Sequence, residues 1–363
     1  SNSLEESERW EAIELTPETF ESFSGKQTFA APVVDILVAV PEVDSDAHYM
    51  QASVILEDGW VFPYTIKPQE SALVASPRAP PFNVFSVNQH DGRLWSTQLD
   101  ALGASEGDLK LTKAALILGN TTMVFGDSRG GLQAWFVVID KQTNKRQYQR
   151  IRAYDPLPSA IETISISQRS KSFLVGDKGG SLRGINMTTA RVFLDTSVDD
   201  PLATLHYGRE GDGIFGWDKK NRLHTWWFDA PHADASFSSI FTPVHYENFQ
   251  ESKFEWQSTG SDESEPKLSL IPLTIGTLKG ALYAMLFSIP VAIFAALYTS
   301  EFMSPRLRNI VKPVMEVMAS LPSVVLGFVA ALVLAPHFES SVTSVLVMVA
   351  IAPLCFLIAG WIW

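Results

Sequence analysis

Two patterns of apolar side chains divide this chain. Up to about residue 267 they come in short runs of strand length separated by aspartate-led turns, and beyond it they form stretches almost free of charge. The first pattern repeats. Val124-Phe125-Gly126-Asp127 leads to Leu132 and Trp135, Val175-Gly176-Asp177 to Leu182 and Ile185, and Phe215-Gly216-Trp217-Asp218 to Leu223 and Trp226. In each case the fifth position after the aspartate is leucine and the eighth is a large apolar residue. The aspartates stand 50 and 41 residues apart, within the roughly 40–50 residues of a propeller blade. Further strand-like runs at 114–118, 148–154, 161–166 and 191–194 make four strands per unit, and Asp58-Gly59 and Asp91-Gly92 mark two earlier tight hairpins. The pattern predicts a mostly β domain, a WD40-like β-propeller of undetermined blade number over residues 30–235. An irregular β-sandwich is the alternative arrangement of the same strands.

The second pattern predicts helices in lipid. Residues 280–298, 317–336 and 340–363 carry no charged side chain, and each run is about the 17–25 residues a helix needs to cross a bilayer core. Three such runs in succession exceed what a soluble core supplies. The predicted division is therefore a lead-in at 1–29, the propeller at 30–235, a polar juxtamembrane connector at 236–267, and a membrane region of three spans at 268–363.

Charge sharpens this division. The chain carries −12, but beyond residue 267 four cations face three anions, which leaves −13 on residues 1–267. So acidic a surface repels phosphate backbones, and nucleic acid is excluded as a partner. Arg306, Arg308 and Lys312 cluster between the first two spans, and short loops rich in such residues stay in the cytoplasm. The acidic domain, one span away, is then expected outside it. Cys355 is the only cysteine, so no disulfide forms within the chain and cysteine usage does not fix the compartment. An external domain ahead of the first span needs a signal or an upstream helix to carry it across. The sequence accordingly reads as a fragment, with Ser1-Asn2 a cloning remnant and an end inside or just after a span at Trp363.

Candidate chemistry is sparse. Trp95, Trp135, Trp217, Trp226 and Trp227 are read, from their strand spacing, as packing between blades. Among the scattered histidines only His232-Ala233-Asp234 forms a pair, too little for a metal site. There is neither a Walker-type phosphate loop nor a nucleophile elbow. No catalytic, cofactor or metal residues are predicted. In the membrane region, Pro322 is expected to bend the second span, and Ala319, Ser320 and Gly327 to offer a small-residue face for helix packing. Glu316 is expected to pair with Arg308 or Lys312, or to reach interfacial water.

The strings Leu268-Ser269-Leu270-Ile271-Pro272-Leu273-Thr274-Ile275-Gly276-Thr277-Leu278, Glu301-Phe302-Met303-Ser304-Pro305-Arg306-Leu307-Arg308 and Glu316-Val317-Met318-Ala319-Ser320-Leu321-Pro322-Ser323-Val324-Val325-Leu326-Gly327 resemble the C permease subunit of the phosphate-specific (Pst) ABC importer. The likeness runs from residue 254 to about 336 and is greatest to proteobacterial variants with a large extracytoplasmic insertion after the first helix. It implies a type I ABC importer permease in a bacterial inner membrane, with residues 1–267 in the periplasm, and it marks Glu316, Ser320, Pro322, Ser323 and Gly327 as family motif residues. It further implies a second permease subunit, an ATPase subunit and a periplasmic phosphate-binding protein as partners, with ATP hydrolysis on the separate subunit and the coupling loop beyond the third span. Lys279 has the right sign for a phosphate path, although snorkelling to the outer interface is the stronger reading. The rival readings are a membrane-anchored propeller scaffold, for which one span would suffice, and a quinoprotein-like enzyme, whose helices would precede the propeller.

Overall fold

The computed structural model describes residues 29–39, 50–67, 72–75, 80–86, 92–139, 144–208, 211, 213–228, 230, 232–247, 249–257, 265–339 and scattered positions from 341 to 362. Two compact units divide the chain, residues 1–277 and 278–363.

Four antiparallel sheets follow one another in the first unit. The first contains β1 (Val33–Ala39), β2 (Met50–Leu56), β3 (Trp60–Lys67) and β4 (Ala72–Ala75), with β5 (Phe82–Asn83) also paired to β3. The second runs β6 (Leu111–Leu116), β7 (Thr122–Asp127), β8 (Leu132–Ile139) and β9 (Arg146–Tyr154). The third runs β10 (Ile161–Ile166), β11 (Ser172–Asp177), β12 (Ser181–Asn186) and β13 (Val192–Ser197). The fourth has β14 (Leu202–Tyr207), β15 (Gly213–Asp218) and β16 (Leu223–Trp227). Their first strands pack side by side in order, β1 on β6, β6 on β10 and β10 on β14. This is a four-bladed, propeller-like arrangement.

The blades are alike because one local device recurs. Asp127, Asp177 and Asp218 end the second strand of their blades, and each Oδ1 accepts two backbone N–H groups across the turn. The donors are Arg129 and Gly131, Gly179 and Ser181, and Lys220 and Arg222, all at 2.7–2.9 Å. The third residue past each aspartate is left-handed: Gly130 at φ 89°, Gly180 at 90° and Asn221 at 60°. Gly59, at φ 91°, occupies the same place in the first blade, where Leu56 replaces the aspartate. A one-residue register shift opens each first strand, at Val33/Asp35, Leu111/Lys113, Ile161/Thr163 and Leu202/Thr204. Such a bulge adds local twist.

Apolar layers between the blades form the core. Ile55 and Val61 share a cluster with Leu111, Phe125 and Trp135, while Val124 and Leu132 share one with Ile161, Phe173 and Val175. Leu174 and Leu182 do the same with Leu202, Leu205 and Ile214. Burying side chains of this size stabilises by about 1.5–3 kcal/mol each. The hairpin expected at Asp91-Gly92 is replaced by helix α1 (Gly92–Leu102). Leu99 and Leu102 pack on the first layer from one side of it, and that helical spacing outweighs the turn propensity of Asp-Gly.

Past α2 (Phe237–Phe241) and a small two-stranded sheet of β17 (Trp256–Gln257) and β18 (Lys267–Leu268), helix α3 (Ile271–Leu297) continues through a π-helical turn at Tyr298–Phe302. Its 32 residues extend about 48 Å, enough to cross a bilayer core of about 30 Å. By length and composition it is one candidate membrane span. The second expected span differs. Helix α4 (Pro305–Ser320) stops at Leu321, and the chain resumes in α5 (Ser323–Val329) and a π-helical turn through Leu334, bent by 92°. Leu321 sits at φ −68°, ψ 136°, the extended state that a following proline imposes. The run at 317–336 is therefore broken at Pro322 and not merely bent. Helix α6 (Ala335–Glu339) follows, and the third expected span lies mostly outside the described residues.

Candidate functional site

The segment predicted as a polar connector, residues 236–267, belongs with residues 268–270 to a strap tied to the blades. It opens with a capping box in which Ser236 and Ser239 satisfy each other's backbone N–H at the start of α2. Val244 bridges Lys253, Ser269 N–H donates to Glu255 O at 3.0 Å, and Leu270 N–H donates to Ile240 O at 3.0 Å, immediately before α3. Tyr246 and Ser269 are buried, and His245 stands edge-on to Phe136, with ring centres 5.6 Å apart.

The strap brings two carboxylates into the protein. Glu247 Oε2 lies 2.7 Å from Lys171 Nζ, and both side chains are almost fully enclosed. The Thr122 hydroxyl donates to Glu247 Oε1. Glu247 N–H donates to Glu265 Oε1 at 2.7 Å, and the Thr188 hydroxyl donates to Glu265 Oε2. Thr122 opens β7, Lys171 precedes β11 and Thr188 follows β12, so the cluster joins the second and third blades at the end opposite their aspartate turns. Burial, reinforced by the charge of Glu247, pushes the Glu265 carboxyl above its usual range. Each of the four carboxylate oxygens has a donor. The arrangement is chemically a clamp, in which every carboxylate oxygen is held by a donor from the protein.

The Asp127 and Asp218 turns share geometry, but their carboxyls are pushed in opposite directions. Burial pushes the Asp127 carboxyl up, and its Oδ2 has no hydrogen-bond partner among the described residues. Burial acts the same way on Asp218, but donation from the Arg222 backbone, His224, the Arg222 side chain and the Lys220 backbone outweighs it and holds that carboxyl well below the usual range. A cleft of about 420 Å³ lies where β10 and β14 end, lined by Ser165, Gln168, His206 and Tyr207 among others. Among the described residues no group of three or more His, Cys, Asp or Glu side chains could hold a metal, and His232 and Asp234 gain no third ligand.

The residues singled out in the membrane region are not gathered into one site. Lys279 lies in α3 with Nζ 5.8 Å from the centre of the Tyr283 ring. Arg306, Arg308, Lys312, Glu316 and Ser320 all lie on α4. Arg308 donates to the carbonyl oxygens of Ser300 (2.5 Å) and Met303 (3.3 Å), so it ties α4 back to the end of the preceding helix and does not pair with Glu316. Ser320 donates to Val317 O at 2.7 Å. Pro322 and Ser323 form the break, and a Cβ added to Gly327 would meet nothing within 4 Å. Because the chain turns at Pro322, Ala319 and Ser320 do not share a helical face with Gly327.

The reading of the tryptophans divides in the same way. Trp135 is fully buried, with Nε1 donating to Gln133 at 3.1 Å, and Trp226 packs on the layer between the third and fourth blades. Trp217 and Trp227, expected in the core, are 48% and 75% exposed. Sequence reasoning also missed the clamp and Arg150, a buried guanidinium that donates to Gln133 Oε1 and to Val84 O across the first two blades. The partners in these contacts lie 17–125 residues apart, so no local pattern marks them.

Similarity to known proteins is confined to part of the chain. A 91-residue stretch is 32% identical to a probable ABC transporter permease protein, YqgH, of Bacillus subtilis, covering 24% of this chain and 28% of that protein. A 76-residue stretch is 34% identical to the phosphate transport system permease protein PstC 1 of Mycobacterium tuberculosis, covering 21% of this chain and 22% of that one, and the Mycobacterium bovis protein gives the same figures. The chain thus spans less than a third of the length of these relatives. No protein-family profile matches the sequence. Among solved structures, the computationally designed Ika4 protein overlaps 56% of this chain and 95% of its own at 11% identity and a TM-score of 0.35. BBS1N in complex with ARL6DN overlaps 55% and 52% at 13% identity, also at 0.35. Scores this low carry no argument.

Proposed function

We propose that this chain is part of the membrane permease subunit of an ABC-type phosphate importer, with the propeller as an extracytoplasmic interaction module. The observation that carries this reading is the coincidence of three things in one stretch of sequence: an apolar helix long enough to span, the Arg306, Arg308 and Lys312 cluster just after it, and a proline-broken element beyond, in a chain partly similar to permeases. Cations close to the end of a span favour the cytoplasmic side, here at the start of α4 and not in a loop, and in this reading the acidic unit, one span away, lies on the outer face. The separate ATPase, the second permease subunit and the phosphate-binding protein follow from the resemblance. Residues 1–267, at −13, offer little to offset the desolvation of a multivalent anion, so in this reading the propeller contacts protein and the membrane region passes the anion.

Uptake of radiolabelled phosphate by cells lacking this protein tests the proposal. High-affinity phosphate uptake is expected to disappear while sulfate uptake continues, and to return when the gene is restored. Unchanged phosphate uptake, or loss of sulfate uptake instead, would contradict it.

A further inference from the structure

The internal repeat identifies a surface that no blade described here occupies. In the second blade, the positions three before and five after the aspartate step are Val124 and Leu132, both fully buried against the third blade. In the third blade they are Leu174 and Leu182, fully buried against the fourth. In the fourth blade the equivalents are Phe215 and Leu223, and they are 41% and 52% exposed. Cross-strand pairing sets Trp217 opposite Leu223 and Gly213 opposite Trp227, so Trp217 and Trp227 extend the same face. An apolar layer that is covered twice in the series is bare in its last member.

The backbone repeats the signal independently. At each left-handed turn residue of the first three blades the carbonyl receives an N–H from the segment that follows: Val84 to Gly59, Leu157 to Gly130 and Val198 to Gly180, at 2.8–2.9 Å. Asn221 holds the equivalent turn conformation, and among the described residues its carbonyl accepts nothing. Among the described residues the strap does not supply the cover, since it turns instead to the second and third blades.

We infer that the outer face of the fourth sheet is an inter-blade face and takes a further β-blade of the same polypeptide, whose leading strand packs on Phe215, Trp217, Leu223 and Trp227 while the segment entering it donates an N–H to Asn221 O. Size decides between a blade of this polypeptide and a separate protein. Strands of six, six and five residues give a face of roughly 300 Å², well below the about 800 Å² per partner of a stable complex. A blade tethered to the same chain needs far less area, because its local concentration is high. A second copy is disfavoured as well, since it would bring another −13 of like charge against this unit.

Thiol accessibility in the native gene product, purified in detergent and shown by light scattering to be a single copy, tests the assignment. Cys355→Ser removes the native thiol, and Trp227→Cys then reports on the face, with Phe237→Cys, a position 81% exposed, as the reference. A covered face reacts only on local opening, so maleimide labelling of Trp227→Cys should be about tenfold or more slower than that of the reference. Thr225→Cys, a smaller change on the same face, repeats the measurement in case loss of the tryptophan disturbs the blade. Labelling at the reference rate in both variants overturns the inference. Protection that appears only when copies associate assigns the face to a second copy, and protection only when another protein is added assigns it to a partner, and both results reject a blade in cis.

Discussion

Leu132 and Leu286 are the same side chain in opposite settings. Leu132, in the second blade, is fully buried between two sheets, whereas Leu286, midway along α3, is 66% exposed, and no residue of that helix is buried. In the first unit apolar layers are enclosed between the blades, and enclosed charged groups are paired in the clamp of Lys171, Glu247 and Glu265. In the second, apolar residues face outward on every side. The difference is one of solvent. An alternating strand suits a boundary between core and water, while a helix apolar all round is stable only where its surroundings are also apolar.

Perturbing the clamp should produce the largest effect. Lys171→Ala leaves Glu247 buried beside Glu265 with no cation, and an uncompensated buried charge costs about 3–5 kcal/mol. Denaturant unfolding of the detergent-solubilised chain, followed by its β-sheet circular dichroism, checks this; a midpoint unchanged from the parent would show that the strap is not docked. The two leucines sharpen the comparison next. Leu132→Ala is expected to destabilise the β domain by about 2–5 kcal/mol through the cavity it leaves, whereas Leu286→Ala should leave that transition where it was. Equal effects would break the distinction between the units.

Glycine substitutions resolve a smaller step. Gly130 sits at φ 89°, and a Cβ there would lie 2.1 Å from Leu157 O, while Gly103, at φ 57°, has nothing within 4 Å. Gly130→Ala should therefore cost about 1–3 kcal/mol in backbone strain and further disrupt the junction with the third blade, and Gly103→Ala should cost less. The smallest effect is one of pH. The Glu265 carboxyl is raised on folding, so the stability it contributes is fully present below the ordinary carboxylate range and is lost as pH rises through its folded value. Glu265→Gln should remove that part of the pH dependence, flattening the decline above pH about 4.5, as unfolding midpoints across a pH series would reveal.

The blades were legible because their determinants are local. An aspartate that takes the N–H groups two and four residues ahead specifies its own turn, and the leucine and large apolar residue beyond it fall on fixed faces of the next strand. The first-blade turn at Asp58-Gly59 is readable for a different local reason, the left-handed conformation that Gly59 adopts at φ 91°. Alternation tells which side chains share a face but not whether a described sheet covers it, and so Trp217 and Trp227, read as packing between blades, lie exposed on the last described sheet. The clamp was invisible because Thr122 and Glu247 are 125 residues apart and Lys171 and Glu247 are 76 apart. Nothing near any of them in sequence signals the contact. At Pro322 the residue was recognised and its consequence underestimated, since the extended state imposed on Leu321 ends the helix outright.

The central claim is that the acidic unit faces the periplasm while α3 crosses the inner membrane, and thiol labelling in cells tests it most directly. Arg129 lies exposed on the Asp127 turn, so Arg129→Cys in a Cys355→Ser background places a single thiol there. With the outer membrane permeabilised and the inner membrane intact, a membrane-impermeant maleimide is predicted to label it fully. Labelling only after the inner membrane is opened would place the propeller in the cytoplasm and contradict the account.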